Sequence, residues 1–152
     1  MMLDQILISM AATLAFVILF QAPRSEYVFC AMTGAVGWIS YLLFLEMGAT
    51  ATIASMWATV ILTLLARILS AIRRTPVTIF LVTGIFTLVP GAGIYYTSYY
   101  LIMNDLLQFT AKGLETFKIA GVMVIGMVFG LALPQSWFNQ LAKLKDRSER
   151  KQ

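Results

Sequence analysis

The sequence predicts an all-α integral membrane protein: five transmembrane helices, the fourth broken at Pro90-Gly91, and a short amphipathic helix lying on the membrane interface at the C-terminal end. Three observations carry this. Of 152 residues, 60% are hydrophobic and only 12% are charged, about half the charged share of an ordinary soluble domain, and the mean hydropathy is +0.84. A soluble domain of this size has too little interior to hide that much apolar surface. The apolar residues are gathered into stretches close to the roughly 20 residues that an α-helix needs to cross about 30 Å of hydrocarbon. The basic residues, finally, alternate in density from one inter-span segment to the next.

The first predicted span covers residues 5–22. Asp4 precedes it, no Lys or Arg stands before it, and no small-residue cleavage site follows, so it reads as a span rather than a signal peptide. The second covers 27–45. The third, 47–71, carries Thr52, Ser55, Thr59, Thr63, Arg67 and Ser70 at steps of three or four, which places them within one arc of roughly 120° on the helix. The fourth, 77–103, has 27 residues and would be about 40 Å long as one straight helix. It contains Pro90, which removes a backbone donor and clashes with the preceding turn, and Gly91 and Gly93 follow at once. Two half-helices joined by an unwound segment at mid-membrane fit that length better. The fifth span covers 117–133. In the tail, 135–152, Trp137, Phe138, Leu141 and Leu144 recur at helical spacing among Asn, Gln and Lys, the pattern of an interfacial helix whose lysines face anionic lipid. No internal repeat divides the chain, so residues 1–152 read as a single transmembrane domain.

Five spans set the basic residues on two sides. Arg24, Arg67, Arg73, Arg74, Lys143, Lys145, Arg147, Arg150 and Lys151 fall on one; only Lys112 and Lys118 fall on the other, with Asp4, Glu46, Asp105 and Glu115. The positive-inside rule makes the first side cytoplasmic, with the N-terminus outside and the C-terminus inside.

Composition also excludes chemistries. The chain has one cysteine, Cys30, and no histidine. An intrachain disulfide and a His-based triad or relay are therefore impossible, and a zinc or other metal site finds too few ligands. An intramembrane enzyme lacks an Asp pair or a Ser beside a base. No catalytic residue, no cofactor and no nucleic-acid partner is expected.

Three features remain as candidates for function. A half-helix starting after Pro90 points free N–H groups and a positive dipole end into the membrane, which suits a carboxylate; the other reading is a proline kink used in packing. Pro90, Gly91, Ala92 and Gly93 are the backbone candidates, and Tyr95, one turn on, could touch a ligand. The hydroxyl stripe with Thr59, Thr63 and Arg67 either lines a path for a small zwitterion or anion, or serves helix–helix hydrogen bonding with an arginine that snorkels to the interface. Gly34 and Gly37, and the Gly126/Gly130 GxxxG pair, read as close-packing faces and suggest assembly with other subunits.

Phe20-Gln21-Ala22-Pro23-Arg24, Gly34-Ala35-Val36-Gly37-Trp38, Leu65-Ala66-Arg67 ahead of Arg74-Thr75-Pro76, and Leu88-Val89-Pro90-Gly91-Ala92-Gly93-Ile94-Tyr95 together resemble the small subunit of the threonine/serine exporter family (ThrE-like, YjjB type) over nearly the whole chain. The resemblance implies a multi-pass subunit in the bacterial inner membrane. It would export threonine and serine, or in some members a dicarboxylate such as succinate, driven by the proton gradient, with a larger membrane subunit of the same family as partner. A purely structural subunit beside a larger substrate-binding partner is the competing expectation. Pro90, Gly91, Gly93 and Tyr95 match the family's motif positions.

Overall fold

The computed structural model describes residues 2–134, and the expected tail helix over 135–152 lies outside them. Among the described residues the chain is all helical: α1 (Met2–Leu19), α2 (Tyr27–Glu46), α3 (Ala51–Arg73), α4 (Val77–Ile85), α5 (Gly91–Ile102) and α6 (Leu106–Ala132), with a single 3-10 turn at Arg24–Glu26 ahead of α2.

The connections have a common chemistry. Gln21, Gly48, Arg74 and Asn104 each adopt a left-handed backbone, with φ of 52°, 86°, 55° and 57°, and each sits in the turn after a helix. Such a residue stops the helix and turns the chain at little cost when it is Gly or Asn, and at some cost when it is Gln or Arg. After Arg74, Pro76 starts α4 with φ −53°, a value already suited to a helix start. Thr50 caps α3, its side chain accepting from the Ile53 amide, and Asp105 caps α6 by accepting from the Gln108 amide at 3.1 Å. The α4–α5 connection alone is made by Pro90, with φ −73° and ψ 63°.

Among the described residues three helical segments are long and apolar enough to cross a membrane: Arg24–Glu46, Ala51–Arg73 and Leu106–Ala132. The five-span expectation is corrected in three places. The first stretch, 5–22, ends as a helix at Leu19, and its apolar part, Asp4–Leu19, is shorter than these three. The fourth stretch, 77–103, is two short helices of 9 and 12 residues, about 14 and 18 Å long, neither able to cross alone. α4 packs inside the bundle on α1, α2 and α3, whereas α5 packs on α6. The last helix begins at Leu106 rather than at 117, because the polar segment 104–116 carries its own N-cap and an intrahelical Lys112–Glu115 pair, both of which stabilise a helix start.

The core forms where α3 meets its neighbours. Ala58, Leu62 and Ala66 are fully buried, with Val17, Cys30, Phe80 and Met123 completing the cluster. Cys30 is packed as a hydrophobe, its thiol 3.8 Å from the Ile79 carbonyl. The small-residue faces lie at close approaches. A Cβ on Gly34 would strike Thr13, and one on Gly37 would meet Leu62 Cδ1 at 2.6 Å.

α3 and α6 lie parallel. Gly126 faces Met56 and Thr59, Gly130 faces Thr63, and Arg67 reaches the Gly130 and Leu131 carbonyls, so the contact advances in the same direction along both helices.

Candidate functional site

Local geometry at Pro90 follows from its chemistry. α4 winds down through hydrogen bonds from the Leu88 and Val89 amides to the Ile85 carbonyl, at 2.9 and 3.2 Å. Pro90 donates nothing. The Gly91 amide turns back to the Val89 carbonyl at 2.7 Å, and the first helical bond of α5 runs from the Ile94 amide to the Pro90 carbonyl at 3.0 Å. The Ala92 and Gly93 amides therefore start α5 without an intrahelical carbonyl, at the positive end of its dipole.

The start of α5 borders a hollow of about 550 Å³ bounded by Pro90–Gly93, the Trp38 and Tyr41 rings of α2 and Ser55 of α3. Tyr96 of α5 and Lys112, Glu115 and Thr116 of α6 complete it. The Trp38 and Tyr41 rings lie 5.4 Å apart between centroids, tilted by 35°. The Trp38 indole N–H is buried and meets no acceptor among the described residues, an unusual state for a buried donor. Lys112 Nζ donates to Glu115 Oε2 at 2.8 Å. A second hollow of about 540 Å³, lined by Ile94, Phe117, Met123 and Met127, lies across Pro90 and Thr116 from the first and is almost wholly apolar.

Gly91 and Gly93 differ in role. A Cβ on Gly91 would meet nothing within 4 Å, whereas one on Gly93 would run into Thr116. Gly93 is thus a contact between α5 and α6, and Gly91 faces open space. The break also lies off centre. It faces Ser55, seven residues before Leu62, the middle residue of α3, which is about 10 Å towards the N-terminal end of that helix.

The structure brings Pro90, Gly91, Ala92 and Gly93 together at the hollow, with Ser55 from the hydroxyl stripe. It does not bring Tyr95 there. That ring is 63% exposed and stacks on Tyr99 at 6.4 Å, while Tyr96 lines the hollow. Thr59, Thr63 and Arg67 are buried between α3 and α6. The Thr59 hydroxyl donates to the Ser55 carbonyl and that of Thr63 to the Thr59 carbonyl, both at 2.7 Å. Gly126 and Gly130 of α6 pack against the Cβ side of Thr59 and of Thr63. Arg67 Nη1 donates to the Gly130 and Leu131 carbonyls at 2.9 and 2.8 Å, among the last four of α6, which have no intrahelical donor.

Two charged features escaped the sequence. Lys112 and Glu115 fall between the fourth and fifth predicted spans, and it is the Asp105 cap that places them on a helix. Glu26 is 4% exposed and holds Arg73 through a two-point bond, Nε to Oε2 at 3.0 Å and Nη2 to Oε1 at 2.8 Å. The Arg73 guanidinium also lies 4.4 Å over the Phe29 ring. The available signal was an acid at the start of α2, on the side that collects nine basic residues.

A family model described as "Threonine/Serine exporter, ThrE" matches residues 5–133. Comparison with curated proteins and with solved structures finds no match.

Proposed function

The chain belongs to the threonine/serine exporter family, a family of membrane transporters, and from that premise we propose that it is the small membrane subunit of a two-component exporter of carboxylate-bearing metabolites, threonine and serine foremost, working beside a larger membrane subunit and driven by the proton gradient. The observation that carries this reading is the hollow at the Pro90 break. The start of α5, the hydroxyl-bearing Ser55 and Thr116 and the Trp38 and Tyr41 rings meet there around a largely apolar lining. In a low-dielectric setting such donors bind a carboxylate strongly because they are already oriented for it.

In this account Ala92 and Gly93 hold the carboxylate, Gly91 leaves room for it, and Pro90 prevents α4 and α5 from closing into one helix that would use up those donors. Thr59, Thr63 and Arg67 act one layer away, by fixing α6 against α3 and so setting the position of Thr116 and the far wall. α4 and α5 together complete the fourth crossing. The parallel course of α3 and α6 fits a topology that returns the chain to the same face, with the N-terminus outside and the C-terminus in the cytoplasm of a bacterial cell.

A purely structural subunit is favoured by one observation, the close glycine contacts of α6 on α3. Efflux of labelled threonine from preloaded cells separates the readings. The chain alone, the larger subunit alone and both together are compared. Efflux that needs both chains supports the two-component exporter, and full efflux from the larger subunit alone overturns a substrate-binding role here.

A further inference from the structure

The hollow contains one cation and one anion, and both belong to α6. Lys112 and Glu115 stand one turn apart and bond to each other at 2.8 Å, with side chains 42% and 54% exposed. Thr116, the next residue, donates to the Lys112 carbonyl at 2.8 Å and abuts Gly93. The pair is thereby held beside the start of α5. Among the described residues the other elements around the hollow bring no formal charge to it: α2 supplies Trp38 and Tyr41, α3 supplies Ser55, and α5 supplies Tyr96. An ion pair on an open surface contributes little. This one closes on a concave site with carboxylate-seeking donors, where its two ends have work to do.

We propose that Lys112 and Glu115 are the specificity-determining residues of this hollow and make it a receptor for a zwitterionic α-amino acid against a dicarboxylate. The inference rests on the reading of the hollow as the substrate site given above. The substrate carboxylate lies between the Ala92 and Gly93 amides and Lys112. The substrate ammonium takes the place of Lys112 on Glu115, with the Tyr41 and Tyr96 rings offering faces that attract a cation. Both the empty and the occupied hollow are then electrically balanced. A dicarboxylate satisfies the amides equally well, but its second carboxylate meets Glu115, a like charge a few ångströms away. At the effective dielectric of a partly exposed site, that repulsion corresponds to a discrimination of roughly ten- to a hundredfold. The amides thus provide affinity for any carboxylate, and Glu115 provides the choice.

The test is efflux of labelled threonine and labelled succinate from preloaded cells that express the full chain together with its larger subunit, with protein levels followed by immunoblot. Glu115→Gln is expected to lower the threonine-to-succinate ratio at least about tenfold, with succinate efflux rising. Glu115→Asp keeps the wild-type preference, and Lys112→Gln weakens efflux of both. If Glu115→Gln does not accumulate, the double variant Lys112→Gln/Glu115→Gln carries the same comparison without leaving Lys112 unpaired. An unchanged ratio overturns the inference, as does equal loss of both substrates at normal protein level. In either case a Gly91→Leu variant that still loses threonine efflux leaves the hollow standing as the site. If Gly91→Leu exports normally, the hollow is not the site, and the inference falls with it.

Discussion

Replacing Arg67 by methionine removes a guanidinium of which only 4% is exposed and leaves a chain of similar length in its place. The cost is set by what Arg67 holds. Its Nη1 donates to two carbonyls at the end of α6, at 2.9 and 2.8 Å. A hydrogen bond to a charged group contributes about 1.5–3 kcal/mol, and a cation at a helix C-terminus adds about 0.3–1 kcal/mol. For these two contacts the net is smaller than the sum, because carbonyls released near a helix end recover part of the energy from water. A net loss of about 2–4 kcal/mol is therefore expected. Arg67→Lys keeps the charge but loses the planar fork and falls between. The assay is unfolding of the purified chain in mild detergent, read alongside the reactivity of a cysteine placed at Leu131, which should rise when the helix end is released. If Arg67→Met were as stable as the wild type and Leu131 stayed protected, while efflux vanished, Arg67 would be acting on substrate, and the clamp argument would be refuted.

Two further outcomes follow from the same packing. Gly126→Ala puts a methyl 2.7 Å from the Met56 carbonyl oxygen, a backbone atom that cannot swing aside; a destabilisation of about 1–3 kcal/mol is expected and is read by the same unfolding assay, whereas Gly121→Ala, with nothing within 4 Å, should be close to neutral. Glu26→Gln leaves Arg73 over Phe29 without its carboxylate and should lower the unfolding midpoint. The charge reversal Glu26→Arg/Arg73→Glu should restore part of that loss, and failure to restore any of it would show that the pair is not a direct contact in the membrane.

Helix identity was plain in the sequence wherever apolar length was the signal, as in α2 and α3, and the Pro90-Gly91 break was plain because proline chemistry is local. The start of α6 was not, because Gln108, Lys112 and Glu115 carry loop-like polarity; the deciding features, the Asp105 cap and the Lys112–Glu115 pair, act only once the residues are already helical. The separation of α4 from α5 was also hidden. A hydropathy run does not say which neighbour each half prefers, and that choice depends on Gly93 meeting Thr116 and on Gly84 lying against Leu62 and Thr33. The hydroxyl stripe on α3 was legible as a stripe, but its partner was not. The spacing of Thr59 and Thr63 serves a path and a helix contact equally well, and only the parallel placement of Gly126 and Gly130 associates it with α6. The candidate site was thus half visible: its backbone from Pro90 to Gly93 could be read, and its wall of Trp38, Tyr41, Tyr96, Lys112 and Glu115 came from tertiary packing.

The central claim is that the open space at Gly91 receives the substrate. Gly91 lies outside the left-handed region and a Cβ there meets nothing within 4 Å, so the backbone accepts Gly91→Leu, and the longer side chain is expected to fill the hollow while the complex still assembles. The most direct measurement is threonine efflux by Gly91→Leu together with the amount of intact complex in the membrane, compared with Gly93→Leu, which collides with Thr116. The account predicts that Gly91→Leu keeps the complex and loses efflux by at least about tenfold, an occluded site costing more than the roughly 1.4 kcal/mol that a tenfold change represents, and that Gly93→Leu loses both. Wild-type efflux from Gly91→Leu, at normal complex levels, would contradict it.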